Sequence, residues 1–165
     1  MRTNSTQRQF SAVALIISLL ITLSIGVVAS QFTRPEIKNW YITLNKPSFT
    51  PPNWLFPVAW TTLYILIAIS AYLVWQLRDG SRTCKTAIWI YVIQLALNFS
   101  WSIVFFGMHQ IMGGLIVIVA LLVTIILNIS WFNRFSRTAA WLLVPYLLWV
   151  SYATLLNISI CVLNK

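Results

Sequence analysis

The sequence predicts an all-α integral membrane protein, a bundle of five transmembrane helices. Of its 165 residues, 59% are hydrophobic and only 8% are charged, whereas soluble domains carry about 25% charged residues. The charged residues are absent from four long windows: 10–33, 47–77, 86–133 and 138–164. Each window holds one or two apolar spans of the ~20 residues needed to cross a bilayer. The chain is therefore predicted to be a single membrane domain, 1–165.

The net charge of +9 comes from 11 Lys and Arg against Glu36 and Asp79. The basic residues lie in short segments between apolar spans, which favours lipid headgroups and topology signals over nucleic acid as their partners. Seven of them fall on the side of the N-terminus and four on the other, which predicts an N-terminus inside the cell. Cys84 and Cys161 show no metal or redox spacing and are predicted to pack as small apolar side chains.

The first helix is predicted at about 10–32, after a polar segment 1–9. This apolar run is too long for the h-region of a signal peptide. The other four helices are predicted at about 53–77, 86–106, 111–133 and 139–163. Small residues recur every four positions along the first helix and predict close approach of another helix, or a cavity wall near Gly26: Ser18, Thr22, Gly26 and Ser30.

The connection 33–52 leads into the most distinctive stretch of the chain, Trp40 to Tyr64. Three prolines make Lys46 to Asn53 a stiff, extended segment, and Asn53 is predicted to cap the second helix. Trp60 and Tyr64 share a face of that helix. Two interpretations remain open: an aromatic lid over a flat apolar ligand, or an aromatic anchor at the membrane interface.

In the third helix, Gln94, Asn98 and Trp101 lie on one face. Amides at membrane depth need partners. Gln94 is predicted to bond another helix, whereas Asn98 serves either helix packing or a cavity. His109 is predicted to be a solvated turn residue rather than a haem ligand. The fourth helix is interpreted as scaffold or as an oligomer face.

The fifth helix is predicted to kink at Pro145 and to present Pro145, Trp149, Ala153 and Leu156 on one face. No span contains a carboxylate, lysine or arginine, which argues against ion-coupled pumping. The sequence holds no motif for metal catalysis or hydrolysis, so no metal and no required cofactor are predicted. An uncharged cavity of Trp, Tyr and Asn suits large, flat, mostly apolar molecules.

Three motifs resemble the TspO/MBR family, the tryptophan-rich sensory proteins and translocator proteins (peripheral benzodiazepine receptors). They are WYITLNKPSFTPPNWLFPVAWTTLY from Trp40, LNFSWSIVFFG from Leu97 and WLLVPYLLWVSYATLLN from Trp141. The resemblance implies five helices around a ligand cavity closed by the helix 1–2 loop, and a homodimer. It implies a receptor or sensor that binds protoporphyrin IX, haem and benzodiazepine- or isoquinoline-type ligands, in tetrapyrrole regulation or transport and stress response.

By position, the resemblance implies a set of ligand-binding residues: Tyr41, Pro47, Phe49, Trp60, Asn98, Trp101, Trp149, Ala153 and Leu156. An alternative function is a light-dependent porphyrin-degrading enzyme with Trp60 and Trp149 as catalytic residues. A second alternative is a structural membrane protein or a lipid or sterol carrier, although Ile158 stands where the family's sterol motif has tyrosine.

Ile103 stands where many members of the family have proline, which predicts a straighter third helix. Short loops and no evident transit peptide favour a bacterial inner membrane. A mitochondrial or bacterial outer membrane is the alternative location.

Overall fold

The computed structural model describes residues 10–165, so the predicted polar segment 1–9 and its two arginines lie outside the described residues. Five helical spans in the described part are long and apolar enough to cross a membrane, which confirms the predicted fold class. The helices are α1 (Ala12–Lys38), α2 (Leu55–Gln76), α3 (Arg82–Ser102), α4 (Ile111–Asn133), α5 (Arg137–Leu142) and α6 (Val144–Leu163). Together α5 and α6 form the fifth span.

The first helix is longer than predicted: α1 continues past residue 32 to Lys38, with Pro35 inside it. The prediction followed the apolar run, but a helix does not end where its side chains become polar. Pro35 removes one backbone donor, which is tolerated close to a helix end in a membrane protein. Its own carbonyl accepts from the Asn39 N–H at 3.2 Å. The predicted loop 33–52 is thus replaced by a connection of residues 39–54.

Helix starts follow capping serines more closely than hydropathy. Ser81 accepts a hydrogen bond from the Cys84 N–H at 3.1 Å, so α3 begins at Arg82 rather than at 86. Ser136 caps α5 in the same way, which moves that start from 139 to Arg137. The predicted cap at Asn53 is wrong, because Trp54 directly precedes α2 and no side chain caps that helix.

Two spans change their helical geometry. After Ser102, α3 continues as a π-helix from Ile103 to Gly107, where the N–H of Met108 reaches the carbonyl of Ile103 at 2.8 Å. The predicted straighter helix therefore ends in π-turns, a form that frequently occurs at functional sites. The fifth span breaks at Leu143, and Pro145 lies in the first turn of α6, the position where a proline costs least. The kink predicted at Pro145 is therefore a break between two helices, α5 and α6, at Leu143.

The predicted small-residue face of α1 packs as expected. The Ser18 hydroxyl donates to the Ala68 carbonyl at 2.8 Å. Thr22 is fully buried and lies 2.8 Å from the Tyr91 hydroxyl. Such residues let membrane helices approach closely, and they hold α1 against α2 and α3. Cys84 is buried and Cys161 is partly buried, which agrees with the prediction that they pack as small apolar side chains.

The connection 39–54 is held down over one end of the bundle. Its single 3₁₀ turn is Tyr41–Thr43. Asn45 and Asn164 exchange two hydrogen bonds of 2.9 Å, and the Tyr152 hydroxyl donates to the Phe49 carbonyl at 2.5 Å. We call this end of the bundle the covered end.

Tyr41 lies in the connection that covers this end. Its burial, and secondly the nearby Tyr152 phenol, raise the pKa of Tyr41 to about 12.

Candidate functional site

A cavity of about 740 Å³ lies between α1 and α2 at the covered end, with α3 behind it. We call it the α1–α2 cavity. Its volume falls within the range of small-molecule sites, roughly 300–1,000 Å³. One wall is aromatic: Phe56, Trp60, Tyr64, Trp101 and Phe106. The α1 side offers mainly small and aliphatic residues, so the cavity is a slot with one ring-lined face.

The aromatic wall is a continuous cluster. The Trp60 ring lies 5.7 Å from the Tyr64 ring and 6.2 Å from the Trp101 ring, with interplanar angles of 32° and 33°. Trp101 stacks on Phe105 at 5.7 Å with an interplanar angle of 13°. Rings in such contact stabilise one another by about 0.5–1.5 kcal/mol per pair beyond their buried area. The wall is therefore preorganised before any ligand arrives.

Gly26 allows α1 to face this wall closely. A Cβ added there would overlap the Tyr64 ring, with its Cζ atom only 3.1 Å away. The glycine is required by space and not by backbone conformation, since α1 is regular here. The sequence pattern had placed either a packing contact or a cavity wall at Gly26, and the structure shows both.

A buried hydrogen-bond network anchors the aromatic wall to the core. The Tyr64 hydroxyl donates to Asn98 Oδ1 at 2.5 Å. Asn98 Nδ2 and Gln94 Nε2 both donate to the Tyr146 hydroxyl, at 3.0 and 2.9 Å. Asn128 Nδ2 donates to Gln94 Oε1 at 3.4 Å. The prediction that Gln94 bonds other helices is confirmed, and Asn98 belongs to the same network.

One buried polar atom of the wall has no hydrogen-bond partner in the described part of the chain. Trp101 is 6% exposed, and its indole N–H finds no acceptor within residues 10–165. A buried donor without an acceptor costs about 1–3 kcal/mol, so such groups are rare away from binding sites. Other atoms of Trp101 line the α1–α2 cavity. The N–H itself is enclosed within the wall and is not accessible from the cavity, so it offers no donor to a ligand in this conformation.

The rim of the cavity is basic. Arg34 and Lys38 line it one turn apart on α1, and neither makes an ion pair with a described residue. The neighbouring carboxylate, Glu36, faces away and pairs with His109 Nε2 at 2.9 Å. The His109 ring is partly exposed, as predicted, and stacks on Trp40 at 4.5 Å. Two cations thus lie at the mouth of a slot whose other lining residues are uncharged.

The comparisons with known proteins agree with this architecture. The family model of the TspO/MBR family matches residues 17–163. The chain belongs to the TspO/MBR family. It is 44% identical to the tryptophan-rich protein TspO of Archaeoglobus fulgidus, across 91% of this chain and 96% of that protein. It is 35% identical to the tryptophan-rich sensory protein of Cereibacter sphaeroides, across 92% of each chain. It is 38% identical to the human translocator protein, across 79% of this chain and 78% of that one.

The residues that the TspO/MBR resemblance singled out divide into two groups. Trp60 and Trp101 line the α1–α2 cavity. Asn98 lies directly behind it and reaches it through Tyr64. The others lie outside the cavity wall: Tyr41, Pro47, Phe49, Trp149, Ala153 and Leu156.

The outer group gathers around the connection and α6. Trp149 contacts the Phe56 ring at 6.1 Å and the Tyr152 ring at 5.9 Å. Ala153 and Leu156 are buried below it on the same face of α6. Phe56 is the boundary between the two groups, because it lines the cavity and also contacts Trp149.

The loop residues of this outer group differ in exposure. Tyr41 is buried against Phe56 and Phe106. Phe49 is 48% exposed and Pro47 is partly buried. Of the connection 39–54, only Asn53 and Trp54 reach the cavity. The loop thus covers the end of the bundle and meets the cavity at one corner.

Several cavity residues were not named as ligand contacts from the sequence. Phe56, Tyr64 and Phe106 belong to the wall, and Arg34 and Lys38 to the rim. Tyr64 could have been found, since it lies one turn from Trp60 on the same face. Arg34 and Lys38 could not, because the sequence placed them in a loop rather than on the last turns of α1.

Proposed function

We propose that this chain is a membrane receptor or sensor that binds a flat, mostly apolar tetrapyrrole, such as protoporphyrin IX or haem, in the α1–α2 cavity. The observation that carries the proposal is the combination of a ring-lined wall with two cations at the rim that form no ion pair with any residue from 10 to 165. The macrocycle lies against Trp60 and Trp101, where stacking stabilises it. Its two carboxylates extend toward Arg34 and Lys38, which bind them by charge-assisted hydrogen bonds.

The polar atoms of the cavity support the same ligand class. Thr61 and Ser102 also line the cavity, so the ligand meets a few neutral polar side chains besides the rings. The Tyr64 hydroxyl is already committed to Asn98. The cavity therefore combines aromatic rings and a few neutral polar side chains inside with two cations at the rim, a pattern that fits an apolar plate with acidic substituents at one edge.

Benzodiazepine- and isoquinoline-type ligands are proposed for the same aromatic wall. They are flat and apolar but carry no carboxylate, so they use the rings without the rim. The two ligand classes are thus separated by charge. Porphyrin affinity should depend on Arg34 and Lys38 and should fall with salt, whereas the affinity of a neutral isoquinoline carboxamide should not.

The test is a titration of purified protein with protoporphyrin IX in the dark, followed by tryptophan fluorescence. Arg34→Gln and Lys38→Gln should each raise the Kd about fivefold, as expected for the loss of one exposed cation near an anionic group. Lys165→Gln, at the exposed C-terminus, is the matched control and should leave the Kd unchanged. If all three variants behave alike, or if the neutral ligand loses affinity equally, the rim does not bind carboxylates.

Tryptophan variants locate the site. Trp60→Phe should raise the Kd for both ligand classes, because Trp60 lines the cavity. Trp149→Phe should change it less, because Phe56 stands between Trp149 and the cavity. Trp89 is 66% exposed on α3, so Trp89→Phe controls for the loss of one fluorophore. A larger effect at Trp149 than at Trp60 would place the ligand on the α6 side instead.

Illumination of the same samples separates a receptor from the light-dependent enzyme. An enzyme requires a coloured product that forms only with protein, light and oxygen and is lost in the Trp60→Phe, Trp149→Phe double variant. Equal bleaching with and without protein supports the receptor alone.

A homodimer in a bacterial inner membrane completes the proposal. The outer face of α4 carries exposed apolar side chains, which suit either lipid or a second copy: Ile116, Val119, Val123, Ile126 and Leu127. Cross-linking in native membranes tests this, and a chain that stays monomeric at all densities contradicts it.

A further inference from the structure

A second, smaller cavity lies at the opposite end of the bundle from the covered end. It has a volume of about 310 Å³ and is an apolar groove between α1 and α3, with α2 as its floor. We call it the α1–α3 groove. Its lining includes Ile17 and Ile21 on α1, Trp75 on α2, Ile88 and Tyr91 on α3, and Phe132 on α4. Ile17 and Ile21 are each about half exposed, so the groove opens toward the hydrocarbon of the membrane.

The end of this groove is marked by a positioned cation. The Arg78 guanidinium lies 3.7 Å from the centre of the Trp75 ring, and its Nη1 donates to the Trp75 carbonyl at 3.0 Å. The stacking and the hydrogen bond together hold the charge directly above a ring that lines the groove. Arginine has five N–H donors, and among residues 10–165 this contact uses one of them, which leaves the others for an anion.

A second cation flanks the same end from α3. Lys85 is exposed and lies three residues before Ile88, which puts both on one face of α3, one turn apart. Ile88 lines the groove, and Tyr91 continues the same face into it. Lys85 therefore lies at the end of the groove on the α3 side, one turn beyond Ile88. Arg78 lies at the same end of the groove, next to the C-terminal end of α2.

We infer that the α1–α3 groove binds one acyl chain of an anionic phospholipid, with the lipid phosphate between Arg78 and Lys85. An apolar groove that opens to the membrane takes an acyl chain without a desolvation cost, because the chain leaves hydrocarbon for hydrocarbon. Arg78 binds the phosphate with several N–H donors at once. Selectivity for an anionic over a zwitterionic lipid comes from net charge, because a quaternary ammonium headgroup would bring a third cation close to Arg78 and Lys85. The stacked Arg78 is already ordered, so it loses little side-chain entropy on binding.

This site is separate from the proposed tetrapyrrole site. No residue of the α1–α3 groove lines the α1–α2 cavity, and the two lie at opposite ends of the bundle. The two sites can therefore be tested independently, and failure of the proposed tetrapyrrole function would not contradict this inference.

The experiment is native mass spectrometry of the full chain in detergent, with phosphatidylglycerol and phosphatidylcholine of the same acyl chains added in turn. Wild-type protein should retain one phosphatidylglycerol selectively over phosphatidylcholine. Arg78→Gln and Lys85→Gln should each lower that selective retention about fivefold, the factor expected for one cation near an anionic lipid surface. Lys165→Gln removes the same charge at the other end and should have no effect.

A second pair of variants tests the groove itself. Ala71 lines it and is partly buried, so Ala71→Leu should fill it and abolish retention of the lipid. Ala120 is exposed on α4, and Ala120→Leu should leave retention unchanged.

Three results would overturn the inference. The first is equal retention of the two lipids by wild-type protein. The second is an equal effect of the Arg78, Lys85 and Lys165 variants, which would show a response to net charge alone. The third is full displacement of the lipid by glycerol phosphate, which has no acyl chain and cannot occupy the groove.

Discussion

The hydroxyl of Tyr146 is the point where the buried polar network of the bundle converges. It is fully buried and accepts hydrogen bonds from Gln94 at 2.9 Å and from Asn98 at 3.0 Å. Tyr146→Phe removes the acceptor of both amides and changes little else in shape. Since Gln94 and Asn98 are at most 1% exposed, water cannot replace the lost partner.

The expected cost follows from the two bonds. A hydrogen bond between membrane helices contributes about 0.6 kcal/mol on average and up to about 1.7 kcal/mol. Two bonds lost together therefore predict a loss of about 1–3 kcal/mol in the free energy of unfolding. For a chain of this length, that corresponds to a decrease of about 3–10 °C in Tm.

The assay is unfolding in mixed micelles with increasing dodecyl sulfate, followed by far-UV circular dichroism. Tyr64→Phe is the matched comparison, because it removes one hydroxyl and one hydrogen bond, to Asn98. It should cost about half as much. The double variant should cost less than the sum, since both hydroxyls share Asn98. A Tyr146→Phe variant as stable as wild type, or strict additivity, would refute the network as described.

Three further predictions concern the cavity and its covering loop. Gly26→Val places methyl groups on the Tyr64 ring, and should lower dark protoporphyrin affinity at least tenfold in the fluorescence titration. The pKa of Tyr41 is raised from 10 to about 12 in the folded protein. Between these two pH values the Tyr41 phenol stays protonated in the folded state and is ionised in the unfolded chain. Stability should therefore fall between about pH 10 and 12, by at most ~3 kcal/mol, and Tyr41→Phe should reduce that fall in pH-dependent unfolding. Asn164→Ala removes two hydrogen bonds to Asn45, and should speed hydrogen exchange across residues 39–54 with little change in porphyrin affinity.

Controls separate these effects from general damage. Ser24 is exposed on α1, so Ser24→Val places the same valine side chain on α1 outside the cavity lining and should bind porphyrin normally. An alkaline stability loss that is identical in wild type and Tyr41→Phe would remove Tyr41 as its source. Unchanged exchange in Asn164→Ala would show that the remaining contacts hold the loop, among them those of Tyr152 with Phe49 and of Asn45 with the Leu163 carbonyl.

The number and type of spans could be predicted from the sequence because lipid imposes a simple requirement. Each crossing needs an apolar run in which the backbone bonds itself, and such runs are visible without the fold. The ends of the helices were less accessible. Arg34 and Lys38 look like loop residues by polarity, yet they extend α1 because its backbone bonds continue. Ser81 and Ser136 carried the capping signal that hydropathy overlooked.

The division between cavity and packing was decided by tertiary structure. Helical spacing alone put Trp60 with Tyr64 and Asn98 with Trp101. It could not show that Tyr64 would reach across to Asn98, or that Phe56 would separate Trp149 from the cavity. Those facts depend on the approach of α1 to α2 at Gly26 and on the π-turns that place Phe106 in the wall. The sequence by itself determined a five-span, tryptophan-rich bundle, since that follows from local composition and period. The packing of helices far apart in the chain decided which aromatic rings face open space and which cations stand at its mouth.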